Sequence, residues 1–158
     1  MESIPLAVNG TLMRGLELNH NMLRAGATFV REDRTAACYR LFTIDDVHPA
    51  MQRVAASGAQ VSLEVWNVPL ASLAGILLQE PPGLCVGKVT LADASVVLGV
   101  VGESLLCERG LDITDYGGWR QYLASKRCAV SAPGDPSRPL PMESLSPALR
   151  VAGRRSHG

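Results

Sequence analysis

Between Gln60 and Leu78 the spacing of apolar residues changes, and the change excludes both an all-helical and an all-strand chain. Val61, Leu63 and Val65 alternate with Ser62, Glu64 and Trp66, the period of about two residues that a strand requires. Past Pro69 the apolar positions become Leu70, Leu73, Ala74, Leu77 and Leu78, which is one face of a helix. Pro69 suits the first turn of that helix, and Pro81-Pro82-Gly83 stops it. A strand that runs straight into a short helix points to an α+β domain.

The flanking sequence adds more strands than helices. Ile4 to Val8 reads as a buried strand that ends in the tight turn Asn9-Gly10. Asn19 is positioned to cap a short helix through Leu23, with Gly26 ending it. Ala27 to Val30 and Cys38 to Ile44 read as strands, with Arg31-Glu32-Asp33-Arg34 as a solvated turn between them. Val47 to Met51 reads as an irregular connection, because His48 precedes a proline and leaves helical geometry. Leu84 to Leu91 and Val96 to Val101 form a hairpin across Ala92 to Ser95. A last helix spans roughly Gly117 to Ser125, with Trp119 and Leu123 on one face.

These elements predict an α+β fold: a small mixed or antiparallel β-barrel with flanking short helices. The expected domain covers residues 1–127. Residues 128–158 carry Pro133, Pro136, Pro139, Pro141 and Pro147 and read as a loosely ordered tail, given some apolar grip by Leu140, Met142, Leu145 and Leu149.

Composition narrows the function. Lys+Arg and Asp+Glu both total 15 and aromatic residues are 4%, so neither a basic footprint nor a stacking platform for nucleic acid is present. Cys38, Cys85, Cys107 and Cys128 form no C-x-x-C pair and no ligand-spaced set with His20, His48 and His157, so no metal is expected. With no Gly-rich dinucleotide fingerprint, no cofactor is expected either. Widely spaced thiols, no basic-then-apolar leader and no long apolar run predict a cytoplasmic protein that does not use a membrane.

Three features carry chemistry. In Asn9-Gly10-Thr11-Leu12-Met13-Arg14, a glycine straight after a strand permits close backbone approach, and successive N–H groups can converge on a carboxylate. Thr11 adds a hydroxyl and Arg14 a charge. His20 sits beside a helix start, whose dipole favours a neutral imidazole able to polarise a carbonyl or shuttle a proton. Glu80 ends the Leu70-to-Leu78 helix, where the dipole and burial both disfavour a carboxylate. From the residues alone each has a plain alternative: a strand-ending turn, a capping histidine and a solvated helix-terminal glutamate. His48 reads as a loop residue, Asp45-Asp46 lacks calcium-loop partners, and Trp119 reads as core.

The run Leu6 to Gly15 resembles the opening of the allophanate hydrolase C-terminal domain. Leu18-Asn19-His20, Gly26 to Val30, Tyr39-Arg40-Leu41, Val65-Trp66 with Pro69, Pro82-Gly83-Leu84, Gly87-Lys88-Val89, Leu98-Gly99 and Ile113 to Arg120 continue it in order. The resemblance spans about Ile4 to Leu123. It implies a γ-glutamyl cyclotransferase-like fold, with Asn9-Gly10-Thr11-Leu12 in place of that fold's Tyr-Gly-Ser-Leu turn. The amidase half and its Ser-Ser-Lys set have no counterpart in this sequence.

The resemblance implies decarboxylation, or related processing, of a small carboxylated nitrogen compound in urea-type nitrogen metabolism. His20 would be the proton donor, and Asn9, Gly10, Thr11, Leu12, Met13 and Arg14 would bind the substrate. One alternative is cyclotransferase chemistry releasing 5-oxoproline through Glu80. Another is a non-catalytic assembly module that binds an amidase partner or itself.

Overall fold

The computed structural model describes residues 1–131. In chain order its elements are β1 (Ser3–Val8), α1 (Asn19–Arg24), β2 (Thr28–Arg34), β3 (Tyr39–Ile44), β4 (His48–Arg53), β5 (Ser62–Pro69) and α2 (Leu70–Leu78). There follow β6 (Leu84–Thr90), β7 (Val96–Gly102), α3 (Ser104–Glu108), β8 (Leu111–Asp112), a 3-10 turn at Thr114–Tyr116, and α4 (Trp119–Ser131).

Two sheets form. The larger has the order β2-β5-β1-β7-β6 and the smaller β4-β3-β8. All pairings in the larger sheet are antiparallel except β1 with β7, which meet in parallel at Leu6↔Leu98 and Ala7↔Gly99. The expected α+β class is therefore observed, but a closed barrel is not. The outer strands of the larger sheet approach only at the isolated bridge Thr35↔Leu91, beyond the end of β2. The sheet curls until its edges touch at one corner, and the remaining strands form a separate sheet.

The core lies within this curl. Leu6, Val8, Met22, Leu41, Met51, Val65, Val68, Ile76, Val89, Leu91 and Trp119 are among its fully covered side chains. A smaller cluster of Ile44, Ala50, Leu106 and Cys107 fastens α3 to the second sheet.

Several local expectations give way for physical reasons. The charged run Arg31 to Arg34 is the second half of β2, not a turn. It lies on an edge strand, where charged side chains stay in water while the backbone pairs with β5, after a register shift between Phe29 and Arg31. His48 and Pro49 begin β4 instead of an irregular connection. The constraint that proline places on His48 excludes the helix but favours extended backbone, and β4 is an edge strand that tolerates a missing N–H. Asp45, Asp46 and Val47 make the reversal before it: Asp45 and Asp46 both have positive φ (52° and 58°), and the Val47 N–H closes the turn on the Ile44 carbonyl at 2.9 Å.

Asn19 does not cap α1: the N-cap is Leu18, with no side-chain cap. The α4 helix continues past Ser125 to Ser131, through the first residues assigned to the tail. The remainder of that expected tail, 132–158, lies outside the described residues.

Candidate functional site

β1 delivers the chain into Asn9-Gly10-Thr11-Leu12, and this loop directs its carbonyls towards the protein. The Gly10 oxygen accepts from Met13 N–H at 3.0 Å and the Thr11 oxygen from Leu18 N–H at 2.9 Å. The Leu12 oxygen accepts from Asn19 Nδ2 at 2.9 Å, so Asn19 braces the loop. The N–H groups of Gly10, Thr11 and Leu12 meet no acceptor among the described residues. Consecutive backbone donors without partners are uncommon in a folded chain, and such a run is a candidate site for an oxyanion.

Gly10 is required here by space. A Cβ at this position would lie 2.7 Å from the Cδ and Cγ atoms of Pro49. The first residues of β4 are thereby pressed against the loop, and His48 and Pro49 join Val8 to Leu12, Leu84 and Val100 around a small void. Asn9 is 4% exposed and donates from Nδ2 to the Val100 carbonyl at 2.8 Å, tying the loop to β7.

Glu80 completes the wall. It follows the last turn of α2, where its N–H donates to the Leu77 carbonyl, and Pro81 then prevents the helix from continuing. Its Oε1 is buried with no hydrogen-bond partner. Burial pushes its carboxyl up to about 7, because no nearby cation or donor offsets the lost hydration. The void measures about 20 Å³, room for about one water. Glu80 and the residues that carry the unpartnered amides thus line one small, partly open space.

The sequence model of the allophanate hydrolase C-terminal domain matches residues 4–124, which include every residue of this cavity. The chain belongs to the allophanate hydrolase C-terminal domain family. It is 32% identical over 132 residues to urea amidolyase of Saccharomyces cerevisiae, covering 76% of this chain and 7% of that protein. The chain therefore corresponds to a small part of the curated relatives it matches.

Two solved structures in this comparison share the fold. The protein c4763, described as specific to uropathogenic E. coli, is 56% identical with a TM-score of 0.77, over 78% of this chain and 98% of that one. Kluyveromyces lactis allophanate hydrolase is 27% identical with a TM-score of 0.74, over 80% of this chain and 22% of that one. The fold is also shared with an AIG2-like protein of Mus musculus, 19% identical with a TM-score of 0.50, over 66% of this chain and 78% of that one.

In this allophanate hydrolase C-terminal domain chain, the other expected site residues lie away from the Glu80 cavity. Met13 is a core residue. Arg14 stacks its guanidinium 3.5 Å from the centroid of the Phe29 ring and pairs with Glu32 at 2.7 Å and Glu64 at 3.1 Å. His20 is exposed, with Nδ1 3.0 Å from the Glu17 carbonyl, and it is not among the residues lining the void. The structure therefore brings Glu80 to the loop and leaves His20 outside.

The histidine that does line the void is His48, which is 7% exposed. Its sequence neighbours, Val47 and Pro49, read as a loop. The bulk of Pro49 against Gly10 is what places it, and no spacing of residues announces a contact between two distant segments.

A groove of about 470 Å³ beside Glu32, Gln60, Glu64 and Arg120 is larger, but its central carboxylate is saturated. Glu64 accepts from Arg14 N–H, Arg14 Nε, Trp66 Nε1 and Arg120 Nη2 at 2.9 to 3.1 Å. Burial pushes the Glu64 carboxyl up, and these donors outweigh it to hold the group below the usual carboxylate range. Among the described residues no His, Cys, Asp or Glu group could hold a metal ion, and no helix is long and apolar enough to cross a membrane.

Proposed function

We propose that this domain is a small-molecule enzyme that decarboxylates a compact carboxylated nitrogen compound of urea-type metabolism, with Glu80 as the proton donor. The carrying observation is the buried, unpartnered Glu80 Oε1 in the same void as the free Gly10, Thr11 and Leu12 amides. The amides hold one carboxylate of an N-carboxycarbamate-like substrate. The C–N bond to the other carboxylate breaks, its electron pair stays on nitrogen, and CO2 leaves. The Glu80 carboxyl gives its proton to that nitrogen and is reprotonated from solvent.

A carboxyl titrating near 7 is matched to this task, since it is both available as the acid and able to release the proton near neutral pH. The void as it stands holds about one water, so any substrate must open it, and a compact one must open it less than a γ-glutamyl compound. The second reading, release of 5-oxoproline, rests on the same Glu80 at the end of α2 and requires the larger opening of the void.

An amidase that supplies the substrate is the corresponding partner proposal, in keeping with relatives of which this domain forms a small part. The test is CO2 release from freshly generated N-carboxycarbamate. The purified chain should exceed the buffer rate, with activity falling as pH rises through about 7. No excess over buffer overturns the decarboxylase reading. Production of 5-oxoproline from γ-glutamyl compounds, without CO2 release, favours the second.

A further inference from the structure

The donors and acceptors around the Glu80 void are unevenly divided. The Gly10, Thr11 and Leu12 N–H groups all donate, as does the Glu80 carboxyl while protonated. A ligand made only of carboxylate and carbonyl oxygens would satisfy these groups. His48 lies across from them on a different element and offers the opposite function.

His48 Nδ1 lies 3.1 Å from the Pro49 carbonyl oxygen. A carbonyl only accepts, so Nδ1 carries a hydrogen, and a ring with that single hydrogen has its lone pair on Nε2. Among the described residues no protein group donates to Nε2. Its ring is fixed by that bond, by its position in the Ile44↔His48 pair that opens β4, and by Pro49 wedged against Gly10. Asn9 supplies only its amide oxygen in addition, because Nδ2 is committed to Val100.

We propose that His48 is a specificity-determining residue of this cavity, whose Nε2 accepts an N–H from the substrate. The inference rests on the cavity being a substrate site, as argued under Proposed function, and goes beyond it by defining the ligand class. The site selects compounds with a carboxylate beside a nitrogen that still bears hydrogen, such as carbamates, ureido acids and amides of dicarboxylic acids. It disfavours isosteres in which a methyl group replaces that nitrogen. His48 is 7% exposed, and a methyl set against Nε2 would shield it from the water it otherwise reaches without replacing that hydrogen bond.

Oxamate and pyruvate test this directly, being monoanions of nearly equal shape that differ in NH2 against CH3. Each is titrated calorimetrically into the full chain and into His48→Phe, His48→Leu and His48→Gln, with a thermal melt to confirm folding. The wild type should prefer oxamate by about tenfold. Phe and Leu, which lack an acceptor, should bring the ratio to about one while changing pyruvate affinity little, and Gln, whose amide oxygen can accept, should restore much of it. Two aliphatic or aromatic variants are used so that one misfolded protein does not decide the result.

Equal binding of the two ligands by the wild type, or a preference that survives in whichever of the Phe and Leu variants folds, overturns the role of His48 and leaves the site itself standing. Binding of neither ligand at millimolar concentration by the wild type overturns the site reading along with it.

Discussion

Glu64 and Glu80 both lose water when the chain folds, with opposite consequences. Glu64 is 1% exposed near the start of β5 and is surrounded by donors from Arg14, Arg120 and Trp66, which keep it ionised. Glu80 stands at the end of a helix with one oxygen buried and unpartnered, and burial holds its proton to about pH 7. The first arrangement joins distant parts of the chain, because Arg14 follows the β1 loop and Arg120 lies on α4. The second joins nothing. A buried carboxylate that is fully paired is an architectural device, whereas one left without donors retains a proton that chemistry can use.

Substitutions at the two positions should separate these roles. The largest effect is expected for Glu80→Gln, which keeps the shape and removes the transferable proton. Turnover of N-carboxycarbamate should fall by about a hundredfold or more, with the thermal melt unchanged or raised. A melt that collapses alongside activity would make Glu80 a structural residue like Glu64.

Glu64→Ala should show the reverse pattern. Removing the buried anion leaves two partly exposed guanidiniums without their shared partner, at a cost of about 3 kcal/mol in urea denaturation. A loss under about 0.5 kcal/mol would mean that the network is ornamental.

Gly10→Ala places a methyl against Pro49, and the strain should cost about 2 kcal/mol. Oxamate binding should weaken in the same variant, because Pro49 carries His48 with it. Unaltered stability and binding would show that β4 can withdraw from the loop.

The pH dependence of stability gives a further contrast. For Glu80 the folded carboxyl titrates at about 7 against an ordinary value of 4.5, so between these the folded state holds a proton that the unfolded state has released. Its contribution is fully present below the unfolded value and is lost as pH rises through about 7. Allowing for partial solvent access, the loss should be about 1 to 2 kcal/mol, and it should vanish in Glu80→Gln. Glu64 has the opposite sign: its folded carboxyl is depressed, so its contribution is present above the ordinary carboxylate range and is lost as pH falls through the folded value.

The smallest effect is expected at His20. It is exposed and lies outside the void, so His20→Ala should shift stability by less than about 0.5 kcal/mol and leave CO2 release unchanged. A large drop in rate would return the proton-donor role to His20 and require the substrate to sit outside the Glu80 cavity.

Much of the fold was legible from local pattern. The β5-to-α2 junction at Pro69 and the β6–β7 hairpin follow from apolar spacing and from proline and glycine, which act within a few residues. The misread segments, Arg31 to Arg34 and His48 to Met51, are both on edge strands. Edge strands carry charges and proline without penalty, so their composition resembles that of loops.

The site divides in the same way. Gly10 after β1 and Glu80 before Pro81 were visible as a turn and a helix end, and the family resemblance drew attention to both. The inclusion of His48, and the placing of Arg14 and His20 elsewhere, depended on contacts across the fold.

The sequence by itself determined most of the element types, the family and the presence of an acid at the end of α2, since each is written in neighbouring residues. Only the tertiary structure decided which of two glutamates is paired and which histidine lines the void. Those outcomes depend on how Arg14 and Arg120 converge on β5 and how Pro49 closes on Gly10. A carboxyl's proton affinity is set by the water it loses and the donors it gains, and both are properties of packing between segments far apart in the chain.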